Sequence, residues 1–166
     1  PGVFESRGIE QKLANGYGVM NLLRKIRHVY PVVVMSSQIT SQSWGVFIEL
    51  MKSLTQFVPN IQSHLNSFVY VFTHGFEHES NPKAFINSSI NGKINALNPQ
   101  EKANPDLVAL LKDVAMKTNP VTGWKQAFLI SDPRTPEVKF GDLLHTIVSG
   151  TPISRENAFT AFCDQE

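Results

Sequence analysis

Apolar and polar positions fall into blocks along this chain, and the period changes from block to block. Ile9, Leu13, Tyr17, Met20 and Leu23 recur every three or four residues, which places one apolar stripe on a helix ending near His28. Pro31-Val32-Val33-Val34-Met35 is continuously apolar and runs into Ser36-Ser37. A β-branched run without alternation predicts a strand covered on both faces, with the proline tolerated at its entrance. Helical spacing returns in Phe47, Leu50, Met51, Leu54, Phe57 and Val58, predicting an amphipathic helix that ends before Pro59. A loop through Asn60 to Asn66 leads to a second apolar run, Phe68 to Phe72, which breaks abruptly into Thr73-His74-Gly75-Phe76-Glu77-His78.

The segment from Asn81 to Ala96 is rich in asparagine and serine and reads as irregular or weakly helical. Asn104-Pro105-Asp106 predicts a helix start, with Asn104 as N-cap, Pro105 at the first helical position and Asp106 complementing the dipole. Leu107, Leu110, Leu111 and Val114 form its buried face, and Asn119-Pro120 ends it. Ala127 to Ile130 is a third strand, opening into Ser131-Asp132-Pro133-Arg134. A final helix carries Phe140, Leu143, Leu144, Ile147 and Val148 and is terminated by Gly150 and Pro152.

Strands separated by helices require right-handed crossovers. The expected fold class is therefore α/β: a partial doubly wound, mainly parallel sheet with helices on both faces, spanning 1–150, followed by a C-terminal tail over 151–166. Three short strands are few for such a sheet, which normally has about five or six. The chain opens at Pro1 without a methionine, so a further part of the sheet is expected before it.

Composition narrows the function classes. In 166 residues, 42% are hydrophobic and 17% charged, which is ordinary for a globular domain and unlike a disordered chain. A formal net charge of +1 disfavours a nucleic-acid binder held by electrostatics. Arg24, Lys25, Arg27 and His28 read as the solvated, cationic end of the first helix. Cys163 stands alone, so no intrachain disulfide forms and a reducing, cytoplasmic setting is expected. No apolar run approaches the roughly 20 residues of a membrane span.

The break after Phe72 admits two chemistries. His74-x-x-Glu77-His78 has the spacing of an inverted zinc motif, in which two histidines share the metal and the glutamate acts as general base. Gly92-x-x-Asn95-Ala96 is similar to the downstream element of such zinc peptidases. Against it, Gly75 interrupts the motif, a strand leads directly into it, and no acidic third ligand falls at helical spacing. Ser-His-Asp hydrolysis has less support, because no Gly-x-Ser-x-Gly elbow occurs.

The second chemistry follows the order of elements. Pro1-Gly2 matches the end of Asp-x-Pro-Gly, Thr73-His74 closes a strand, and Ser131 follows another. In this the chain resembles the second half of a GTPase-like P-loop domain of the septin, dynamin and immune-associated kind. The resemblance implies that Ser6-Arg7-Gly8 and the following helix form the second switch region. It implies that Gly2 contacts the γ-phosphate, that Thr73 and His74 belong to the base-recognition loop, and that Ser131 begins the loop closing over the base, with Asp132 beside it. Thr-His occupies the same place in chloroplast import receptors. The implied ligands are GTP and magnesium, and the implied partners are a guanine nucleotide and another protein or a second copy. No Gly-x-x-x-x-Gly-Lys-Ser/Thr occurs in the chain, so the phosphate-binding half is expected elsewhere. Phe76 stands where the guanine-binding aspartate belongs. Two functions follow: a GTP-binding switch, possessing GTPase activity when intact, or a degenerate G domain kept as a structural or interaction subunit.

Overall fold

The computed structural model describes residues 26–36, 44–73, 75–76, 79–130 and 140–154. The order is β1 (His28–Val29), β2 (Val32–Ser36), α1 (Trp44–Phe57), a 3-10 helix (Ile61–Ser67), β3 (Val69–Thr73), α2 (Pro82–Asn95), α3 (Pro99–Lys102), α4 (Pro105–Lys117), β4 (Ala127–Ile130), α5 (Phe140–Ser149) and β5 (Ile153–Ser154). The fold is mixed α/β. A three-stranded parallel sheet has the order β2-β3-β4, and a separate antiparallel pair joins β1 to β5. The predicted helix over residues 9–23 lies outside the described residues. Its expected end near His28 is corrected, since His28 pairs with Ser154 in a strand.

The parallel register sorts the sheet into two faces. Val33 pairs with Tyr70 and Tyr70 with Ala127, while Met35 pairs with Phe72 and Phe72 with Leu129. These six residues share one face and belong to or pack on the main core, together with Phe47 and Met51 of α1, Ile86 and Ile90 of α2, and Leu107, Leu110, Leu111 and Val114 of α4. The opposite face carries Val32, Val34, Val69, Val71, Phe128 and Ile130. Its centre is buried at Val69 and Val71, but Val32 and Val34 are 38% and 57% exposed. The expectation that this strand is covered on both faces is therefore corrected. β2 is the outer strand of the sheet, and its second face has no covering layer among the described residues.

Helix starts follow their caps. The Asn104 side chain accepts the Leu107 N–H at 3.0 Å, with Pro105 at the first helical position, as the sequence predicts. The same device begins α2, where Asn81 accepts from Ala84 N–H at 3.1 Å ahead of Pro82. The segment read as irregular or weakly helical is thus a 14-residue helix. Its asparagines and serines have poor helix propensity, but Ile86 and Ile90, one turn apart, are fully buried, and the Asn87 side chain donates to the Ala115 carbonyl of α4 at 2.8 Å. Packing against α4 overrides propensity here. Asn98 and Glu101 form a reciprocal capping box for α3.

Two connecting segments also differ from expectation. Asn60 to Asn66, read as a loop, is mostly 3-10 helix and begins after Asn60 in the left-handed region at φ 51°. Ile153, assigned by sequence to the tail, is buried in the main core and held by the β1–β5 pair. The apolar stripe of α5 is formed as predicted, yet none of its residues is buried.

Candidate functional site

Open parallel sheets place ligands beyond the carboxyl ends of their strands. In this sheet that end is formed by Ser36, Thr73 and Ile130, which lie side by side in the register. Thr73 is half-buried, and its hydroxyl donates to the Met35 carbonyl at 3.5 Å, a long contact that leaves the hydroxyl weakly held. Gly75 follows at φ 78°, a left-handed conformation that glycine adopts without steric cost. The chain then re-enters the core at Phe76, which is 1% exposed. Its ring meets Phe72 edge to face, with centroids 6.3 Å apart and planes at 75°. The Phe76 carbonyl accepts the Glu79 N–H at 3.2 Å, closing the turn.

Trp124 completes this end of the core. Its ring lies 5.5 Å from Phe72, and the Lys83 ammonium sits 5.2 Å above it. The indole Nε1–H is buried and has no hydrogen-bond partner among the described residues.

Of the site residues expected from sequence, Thr73 is described and stands at the end of the middle strand. Gly2, His74, Ser131 and Asp132 lie outside the described residues, as do Glu77 and His78 of the zinc alternative and Cys163. Ile130, which precedes Ser131, is the register partner of Thr73. Among the described residues, no three His, Cys, Asp or Glu side chains come together as a metal site would require.

The most tightly organised polar cluster lies elsewhere, at the amino end of β3, and sequence reasoning missed it. Lys117 Nζ pairs with Asp113 Oδ2 at 2.8 Å, and both side chains are buried. The ammonium also donates to the carbonyls of Leu65 at 2.6 Å and Phe68 at 2.9 Å. Tyr70 donates its hydroxyl to Asp113 Oδ2 at 2.8 Å, with the lysine 5.3 Å over its ring. Burial pulls the Lys117 ammonium below its ordinary value, and Asp113 opposes that shift. Burial, then the Asp113 charge, pushes the Tyr70 phenol well above its ordinary value. An ammonium has three donors, and here all three are engaged. The cluster therefore has no free donor for a substrate and acts as a clamp between α4, the 3-10 helix and β3. The signal available in sequence was the placement of Asp113 and Lys117 three residues after Leu110 and Val114, on the buried side of α4.

Two further polar groupings lie towards the surface. Asn60, Gln62, Ser63, His64 and Asp106 line a shallow polar depression, in which the Gln62 amide donates to Asp106 at 2.7 Å. Lys52 joins Glu49 of its own helix to Glu101 of α3, at 2.8 and 3.2 Å. Those contacts, Glu49 first, raise the Lys52 ammonium. Comparison of the chain with models of known families, with curated proteins and with solved structures finds no match.

Proposed function

We propose that this chain is a G-domain-like α/β module whose base-recognition position has been given over to the core, and that it works through protein contacts as a structural or interaction subunit. The observation behind this proposal is the burial of Phe76 against Phe72. Guanine selectivity in the domains that the sequence resembles rests on a carboxylate at this position accepting two hydrogen bonds from the base. A phenyl ring can accept neither, and this one faces inward. Titration calorimetry with GTP, GDP and ATP, each with magnesium, is expected to give no saturable heat. Guanine-selective binding in the low-micromolar range would overturn the proposal.

A second reading keeps the chain as part of a GTP-binding switch whose phosphate-binding half and magnesium ligands lie outside these residues. Two observations favour it. Thr73 stands at the carboxyl end of the middle strand, where the resemblance needs it. The order β2-β3-β4, parallel and consecutive, is that of one half of a doubly wound sheet. In this reading Gly2, His74, Ser131 and Asp132 would complete the nucleotide site. The same titration separates the two when the protein titrated carries that phosphate-binding half: guanine-selective binding supports the switch, and no saturable heat supports the interaction subunit.

A further inference from the structure

We draw no further inference here: the strongest candidate, the exposed apolar stripe of α5 at Phe140, Leu144 and Val148, is one face of an amphipathic helix, and nothing in the structure shows what covers it.

Discussion

Phe76 packs edge to face on Phe72, four residues earlier, across the turn that Gly75 makes possible. The contact places a core residue where the sequence resemblance asks for a ligand-binding carboxylate. Phe76→Ala is expected to destabilise the fold by about 3–5 kcal/mol, the usual cost of deleting a buried phenylalanine. Phe76→Asp should cost at least as much and confer no guanine binding, because it buries a carboxylate without a partner. Urea denaturation of both variants, with GTP titration of the aspartate variant, checks this.

Lys117 and Asp113 make a buried pair whose halves are not separable. Removing one partner leaves the other charged and desolvated, so Lys117→Met or Asp113→Leu alone should cost about 3–5 kcal/mol. The double variant should recover part of that loss, since no charge is left buried alone, while the Tyr70 hydroxyl and the Leu65 and Phe68 carbonyls lose their side-chain partners. A double-mutant cycle from urea midpoints measures the coupling. Strict additivity would show that the pair does not act as a unit.

The same cluster makes alkaline stability distinctive. Tyr70 keeps its proton in the fold above its ordinary 10.0, where the unfolded chain releases it. The folded state then binds more protons, and stability falls as pH rises through that window, by at most about 1.4 kcal/mol per pH unit. Lys117 works the other way: its folded value is lowered from 10.5, so stability rises with pH from that lowered value up to 10.5. Tyr70→Phe should therefore flatten the loss of stability above pH 10 while leaving the rise below it. Urea midpoints between about pH 8 and pH 11 resolve the two limbs.

Asn104 caps α4, which carries both the core leucines and the lysine clamp. Asn104→Ala should cost about 1 kcal/mol, and Asn104→Asp should retain most of the stability because its carboxylate accepts the same N–H. Thermal unfolding followed by circular dichroism is the measurement. Equal loss in both variants would mean that the cap is not the source of the effect.

The sequence by itself determined those features that depend on neighbours a few residues away. The N-cap at Asn104, the helical stripes from Phe47 to Phe57 and from Leu107 to Val114, and the three short apolar strands are all local, because period and capping act within one or two turns. The tertiary structure decided the rest. Val32-Val33-Val34-Met35 has the composition of a buried strand, but which face is covered is decided by the layers packed on it, and Val32 and Val34 stand on a face of β2 that no described layer covers. Asp113 and Lys117 have the spacing of a surface ion pair. They are buried because the 3-10 helix delivers the Leu65 and Phe68 carbonyls to the ammonium, and that segment reads as a loop in sequence. Asn81 to Ala96 has weak propensity and becomes a helix through Ile86, Ile90 and the Asn87 bond to α4. The direction of Phe76 was likewise undetermined in sequence. Gly75 permits the turn, but the edge-to-face seat on Phe72 exists only once β3 is part of the assembled core.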